Sequence, residues 1–541
     1  MILTSEQTIE AHAQSGIWGR ITLDALFRRA AASHPDRVAL VDAPDRAEWT
    51  GGTPRKLTYA EADEEISRLA GFYAAVGLSL DHVIGLHTPN TVDAVIAFLA
   101  ALRCGLVVTP LPQHWRQRDV LSALSRAGAK ALVAADRIEP RRIAEDARAA
   151  AAELFSLRFV FGLGKEVPDG LIDIASVLAE LDAESMPPPA VRRERNPADH
   201  VATLTWTRST SGEPLPVARS HNHWIAAGFM AFLESSLQDG ADLVIPYALT
   251  GMAGIGAGLM PWLMSAGTLH LHHPRALGNL AAHANHVEAD YILCPGALVP
   301  AVERRLDAPE CRVLAVWNTW SPAATPLRTN RTVIDLHVAD EFAMIARQRG
   351  GSALPTSIPL GVSGAPSSVR HGPALVEIAL DEEAAPPTLK VRGAMVADSA
   401  WPASKVRIPT DKAGFVDTLL AVRQSDTGLA GIGLPGSSAP GSGPLAVLDA
   451  LYSSFTGVTE AAAFLVGDGI LGARLYAALV PQPGAMLDTE AFFAYLDAQG
   501  VSLSEVPYRI LSLPALPRLE NGKINRDALA VRIDRLRAAV A

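Results

Sequence analysis

The sequence predicts an α/β protein, with a large N-terminal body of stacked βα subdomains and a small, mobile α+β cap at the C-terminus. Three observations carry that expectation. Short β-branched runs alternate with amphipathic helical patterns through the first third of the chain. A Gly/Pro/Ser-rich stretch, GLPGSSAPGSGP (433–444), behaves as a flexible linker. The residues after it have a helix and strand pattern of their own. The length of 541 residues is several times a ~150-residue domain, which argues against one compact core.

The elements follow in order. Residues 21–35 carry apolar positions at helical spacing and stop at Pro35, and the β-branched run 37–43 reads as a strand. A long amphipathic helix spans 57–78, with Thr58 near its start. Strand 82–89, helix 92–105 and strand 106–111 come next, and the alternation continues through 120–135 and 154–164. Strand–helix alternation with short connections predicts a parallel sheet covered by helices. In the C-terminal part, a helix over 445–454, strands at 462–466 and 475–480, and a helix over 488–499 precede a loop ending in NGKINRDAL. The expected division is residues 1–433 and 434–541.

Composition excludes several classes. With 49% hydrophobic and 19% charged residues the chain is not a disordered scaffold. Its 47 Lys+Arg face 57 Asp+Glu, for a net charge of −10, without the basic block that a nucleic-acid partner requires. Cys104, Cys294 and Cys311 are scattered and read as reduced core residues of a cytoplasmic protein. The N-terminal MILTSEQTIEAHAQSG lacks a signal-peptide apolar region. Residues 94–112 are apolar but are interrupted by Arg103 and Gly105, short of the ~20 continuous apolar residues of a membrane span.

The segment TLTWTRSTSGEPLPVARSHNHW (203–224) is the main candidate for chemistry. An apolar strand-like run opens into a Thr/Ser/Gly loop, and a helical pattern follows at Trp224. Such a loop aims backbone N–H groups and hydroxyls at phosphate oxygens. It lacks the GxxxxGK[ST] spacing of a Walker loop, and an ordinary polar strand-to-helix turn is the other reading. His221 and His223 are expected to be partly exposed helix-start residues, the other reading being imidazoles that meet a phosphate or acyl group. His270, His272 and His273 suggest a metal, and alternation sends His270 and His272 to one face, but no further ligand stands near in sequence. Trp317, Trp320 and Trp401 read as packing residues, and RRERNPADH (192–200) as a solvated connection.

The run Thr207-Arg208-Ser209-Thr210-Ser211-Gly212-Glu213-Pro214-Leu215-Pro216 resembles the TSGTTGxPKG loop of the adenylate-forming superfamily, which holds acyl-CoA synthetases, peptide-synthetase adenylation domains and luciferases. LTYAEAD (57–63), residues 84–111, MPWLMSAGTLHLHHP (260–274) and PYRILSLPALPRLENGKINRDAL (507–529) are similar to further landmarks of that family, in the same order, so the likeness covers roughly residues 20–530. It implies an N-terminal AMP-binding-like domain and a C-terminal cap carrying a catalytic lysine. It implies ATP, Mg²⁺ and CoA, with a carboxylic acid as the small-molecule partner and a homodimer as an open option. The reaction implied is activation of the acid as an acyl-adenylate and transfer to CoA, as in fatty acid metabolism.

The resemblance assigns Thr207, Ser209, Thr210, Ser211 and Gly212 to the phosphates. His337 and Asp340 fall at the nucleotide through HVADE (337–341), which resembles YGxTE, and Glu341 holds Mg²⁺. Lys523 serves the adenylation step. Other positions depart from the pattern. Leu215 stands where the family has its loop lysine, Leu420 where a carboxylate grips the ribose, and Leu434 where a hinge arginine is found. The acyl-side histidine falls on Leu249 or Gly251. These losses imply weaker nucleotide binding, so a catalytically impaired member acting as a binding or regulatory protein is the alternative reading. The apolar run GMAGIGAGLMPWLMSAG suits a fatty, alicyclic or aromatic acid.

Overall fold

The computed structural model describes residues 1–541 except 181–186, 209–211, 318–326, 340–342, 351–353, 370–371, 385, 405–407, 409, 427, 434–443, 469–471 and 541. Four sheets organise the described residues. One has eight strands in the order Ala343–Gln348, Val333–Ala339, Arg312–Trp317, Tyr291–Pro295, Asp242–Ile245, Thr268–Leu271, Val38–Asp42 and Lys56–Thr58. Its interior pairs are parallel, and only the outermost pair at each edge is antiparallel. A second, seven-stranded sheet runs Ile172–Asp173, Phe159–Leu163, Ala131–Ala135, Val83–His87, Val107–Pro110, Val201–Arg208 and Pro214–Ser220, parallel until the last pair. Central strands such as Val83–His87 and Ala131–Ala135 are buried along their whole length, as a parallel sheet covered on both faces requires.

The helices between these strands form for legible reasons. Thr58 caps the helix Tyr59–Ala75 in a full capping box with Glu61, and Thr22 caps Leu23–Ser33. The helix Val92–Arg103 is buried at every position but Asp93. Its one internal cation, Arg103, is neutralised by Asp24 at 2.9 Å and Asp63 at 2.6 Å. That explains why a 12-residue apolar helix can carry an arginine without spanning a membrane. No helix among the described residues is long and apolar enough to do so.

One hydrophobic core joins the body. It takes in Ile84, Leu86 and Val108 of the seven-stranded sheet and Leu40, Leu243 and Leu269 of the eight-stranded sheet. It also takes in Val376, Ile378 and Leu389 of a five-stranded antiparallel sheet, Gly361–Gly364 through Gly428–Gly433. The C-terminal part builds separate cores. In its strand Val458–Asp468, Ala461 and Ala463 pack to one face with Phe492 and Leu496, while Ala462 and Phe464 pack to the other with Leu529 and Ile533. The expected architecture of a large body and a small α+β unit therefore holds. The linker at which the chain was divided lies largely outside the described residues.

Four local expectations change. The polar loop after residue 208 leads into another strand, Pro214–Ser220, before any helix. Its two prolines lack an N–H, and it lies at the edge of its sheet, where that is tolerated. The following helix begins at His221 rather than Trp224, because the Ser220 hydroxyl accepts the His223 N–H while the His223 ring accepts the Ser220 N–H. The 192–200 connection is anchored: Arg193 binds Asp81 at 2.9 Å and the Gly105 carbonyl at 2.9 Å. At the C-terminus, a helix Arg526–Val540 follows the GK turn.

Phe98 is completely buried at the centre of the shared core. Phe98→Ala is expected to cost about 3–5 kcal/mol of the body's stability, read from its chemical denaturation midpoint.

Candidate functional site

The strands Val201–Arg208 and Pro214–Ser220 form an antiparallel hairpin, with Thr207 opposite Leu215 and Arg208 opposite Pro214. Thr207 is buried at the end of the first strand, and Gly212 takes the left-handed conformation (φ 82°) that lets the chain turn back. Ser209, Thr210 and Ser211 lie outside the described residues. The two ends of the loop are both held by the helix Gln117–Ala127. Arg208, 3% exposed, donates through Nη1 to Asp119 at 2.9 Å and to the Gly212 carbonyl at 2.8 Å, and its guanidinium lies 5.2 Å from the centre of the Trp115 ring. Glu213 accepts from Arg126 Nη2 at 2.6 Å and from the Ser122 hydroxyl at 3.1 Å. The Arg126 contact holds its carboxyl below the usual range.

Arg208 and Asp119 are the residues that the sequence reading missed. A charged residue inside a Thr/Ser/Gly run was the available signal for the arginine. Nothing near Asp119 in sequence announces its partner 89 positions away. Removing one member of a buried pair costs about 3–5 kcal/mol, because the survivor stays charged and unpaired.

His337 sits on the strand Val333–Ala339, half-buried, its Nε2 3.3 Å from the Thr356 hydroxyl. Burial lowers its pKa, so the ring is neutral at pH 7. Asp340 and Glu341 lie outside the described residues. The strand and the hairpin approach one another through Met395. The Met395 carbonyl accepts from Arg219 Nε at 3.4 Å, and its sulfur accepts from the N–H of Met344, the residue paired with Val338. Among the candidates, then, Thr207 and Gly212 lie together at the hairpin, and no described contact joins His337 to them.

The strand Val416–Ser425 carries the run that resembles TGD. Leu419 has φ 57°, the left-handed region that favours glycine and costs a leucine about 1–2 kcal/mol. The backbone turn is formed although its residues are Thr418, Leu419 and Leu420. The nearest carboxylate, Asp417, turns back on the strand and accepts from the Leu419 N–H at 2.9 Å. The acyl-side positions are equally apolar. Leu249 is buried, and residues 252–259 are buried throughout, in a π-helical stretch Met252–Leu259.

Lys523 lies in the cap on a tight turn closed by an isolated bridge between Arg518 and Ile524. The side chain is exposed, and its backbone N–H is fixed by Asn521 Oδ1 at 3.1 Å. Among the described residues no hydrogen bond or ion pair engages its ammonium group. No described contact brings it to the hairpin.

The histidines of the 270–273 run contact a third histidine. His270 and His272 both face His283, at ring-centre distances of 6.0 and 5.4 Å, and His272 Nδ1 lies 3.2 Å from His283 Nδ1. Among the described residues no group of three or more His, Cys, Asp or Glu is arranged to hold a metal ion. Trp317 and Trp401 are buried and donate to Asp335 and to the Ala127 carbonyl; Trp320 lies outside the described residues. The three cysteines are free and buried.

His221 and His223 are both pushed to about 3 by burial. The unfolded chain takes their protons near pH 6.5 and the native state does not, so their contribution is full above pH 6.5 and falls as pH drops towards 3. The His221 ring accepts the Leu23 N–H at 3.2 Å. His221→Asn keeps an acceptor there and is expected to abolish about 2 kcal/mol of the stability lost between pH 7.5 and pH 5, measured by denaturant titration at both values.

Comparison with known proteins agrees with the fold. Residues 27–322, more than half of the chain, match the family described as AMP-binding enzyme. The salicyl-AMP ligase / salicyl-S-ArCP synthetase of Mycobacterium tuberculosis (strain ATCC 25618 / H37Rv) is 26% identical over 96% of this chain and 92% of that protein. The medium-chain fatty-acid–CoA ligase of Escherichia coli (strain K12) is 25% identical over 43% of this chain, and the match spans only 39% of that ligase. Among solved structures, a double mutant of o-succinylbenzoate CoA synthetase from Bacillus subtilis, bound to a product analogue, superposes with a TM-score of 0.69. It has 17% identity and covers 94% of this chain and 98% of that one.

Proposed function

The chain belongs to the AMP-binding enzyme family, and from that premise we propose that it activates a carboxylic acid with ATP and passes the acyl group to the thiol of CoA. The family's ligases use ATP with Mg²⁺, and some use CoA. The acid's carboxylate oxygen would attack the α-phosphorus of ATP, with pyrophosphate leaving. The thiol sulfur would then attack the acyl carbon, with AMP leaving. The observation that carries the reading is Lys523, an exposed cation on a turn of the C-terminal part that no hydrogen bond or ion pair engages among the described residues.

Each residue then has a part. Thr207 and Gly212, with Ser209, Thr210 and Ser211 between them, offer hydroxyls and N–H groups to phosphate oxygens. Lys523 would donate to the oxygen on which charge develops at the α-phosphorus. His337 would stack on the purine in place of a larger ring, with Asp340 beside it. Mg²⁺, if held by Glu341, would neutralise the phosphate oxygens during displacement. Leu215 and Leu420 do not fit the family's polar contacts. Each lost charged hydrogen bond, at roughly 1.5–3 kcal/mol, weakens nucleotide binding by about ten- to a hundredfold. An apolar acid, fatty, alicyclic or aromatic, suits the apolar run at 251–267. A cytoplasmic location belongs to the same reading; the homodimer gains no support from the described residues.

Hydroxamate trapping over a panel of such acids, with millimolar Mg-ATP, tests the reading. Lys523→Ala is expected to lower adenylate formation by about 10²–10³-fold with an unchanged melting temperature, since the side chain is exposed. A variant as fast as the parent would remove Lys523 from the chemistry. A second reading, a binding or regulatory protein without catalysis, is favoured by one observation. The backbone turn at Leu419 is formed while the carboxylate beyond it is replaced by Leu420. A folded parent protein that releases no pyrophosphate with any acid would select it.

A further inference from the structure

A single helix stands between the cap and the hairpin. On its first turn and the residues just before, Arg116 pairs with Asp497 and Arg118 Nη2 reaches the buried carboxylate of Glu505 at 2.7 Å. The His114 carbonyl accepts from the Leu503 N–H at 3.2 Å and from the Ser502 hydroxyl at 3.3 Å. All four cap partners lie within residues 497–505. Further along the same helix, Asp119, Ser122 and Arg126 recur at i, i+3 and i+7, so they share one face. That face holds both ends of the 209–211 loop: Asp119 through Arg208 and its bond to Gly212, and Ser122 with Arg126 through Glu213.

We propose that the helix Gln117–Ala127 is a relay that couples the docking of the cap to the seating of the hairpin. Arg118 and Asp119 are adjacent, so a shift of the first turn that follows the cap also moves the carboxylate that anchors Arg208. The interior of the helix is rigid, and Val120 and Leu124 seat it against the seven-stranded sheet. Coupling between two sites is reciprocal, so whatever steadies the hairpin steadies the docked cap by the same factor. The consequence for nucleotide rests on the reading of 207–213 as a phosphate-facing loop; the mechanical coupling does not. Asp119 and Arg208 are positioning residues on this account.

Hydrogen exchange by mass spectrometry on the full chain, without any ligand, tests it. In the Arg116→Ala/Arg118→Ala variant, peptides over 497–506 are expected to exchange at least about 5-fold faster, and so are peptides over 201–220. Peptides over Phe159–Leu163, towards the other edge of the same sheet, stay unchanged and report that the body is folded. Asp119→Asn is expected to act in the reverse direction, loosening 201–220 and also 497–506. A purely structural Asp119 would loosen the hairpin alone. The proposal is overturned if 497–506 loosens while 201–220 does not, or if the double variant leaves 497–506 as protected as in the parent. No nucleotide enters the experiment, so its outcome is separate from whether the chain makes an adenylate.

Discussion

A guanidinium buried at the end of an internal strand must be neutralised where it sits, and Asp119 does this for Arg208. The local consequences follow from that constraint. The pair fixes the strand Val201–Arg208 against the helix Gln117–Ala127, and the second bond from Arg208, to the Gly212 carbonyl, sets where the chain must turn. Trp115 covers the cation, and Trp206 covers Trp115 at a ring-centre distance of 5.8 Å. An ion pair in such a place is weak evidence of added stability, because desolvation offsets most of its attraction. What it supplies here is position: the loop that resembles a phosphate cradle is held at both ends by one helix.

Much of the architecture was legible in the sequence because it rests on local signals. Period-2 and period-3.6 patterns mark the helices Leu23–Ser33, Tyr59–Ala75 and Val92–Arg103 and the strands between them, and the Thr58 cap is visible as a threonine three residues before Glu61. The boundary expected from the Gly/Pro/Ser composition of 433–444 lies largely outside the described residues. The errors fall where tertiary context overrides local preference. Pro214 and Pro216 argue against a strand, yet an edge position removes the objection. Arg193 falls in a run expected to be a solvated connection, yet its side chain is buried against Asp81, distant in sequence. For the candidate site, the resemblance supplied Thr207, Gly212, His337 and Lys523, whereas the Arg208–Asp119 pair required the fold.

The site joins a formed backbone to altered side chains. Leu419 takes a conformation that suits glycine and Leu215 pairs with Thr207, while the residues at 215 and 420 carry no charge where the resemblance implies one. Backbone geometry of this kind is held by the surrounding sheet and survives a change of side chain. Affinity is not held in this way, because each polar contact contributes separately. On the proposed reading, nucleotide binding is weakened and Lys523 acts from the C-terminal part.

The most direct measurement is a calorimetric titration of the folded protein with Mg-ATP into the millimolar range, repeated with a non-hydrolysable acyl-adenylate analogue. The account predicts saturable binding of both. ATP should be weak, with a dissociation constant of about 0.1 to a few millimolar (roughly 4–5 kcal/mol of binding free energy). The analogue should bind more tightly, because it also fills the acyl site. Silence from both ligands would contradict the account and leave the chain with the fold of its family but without its nucleotide site.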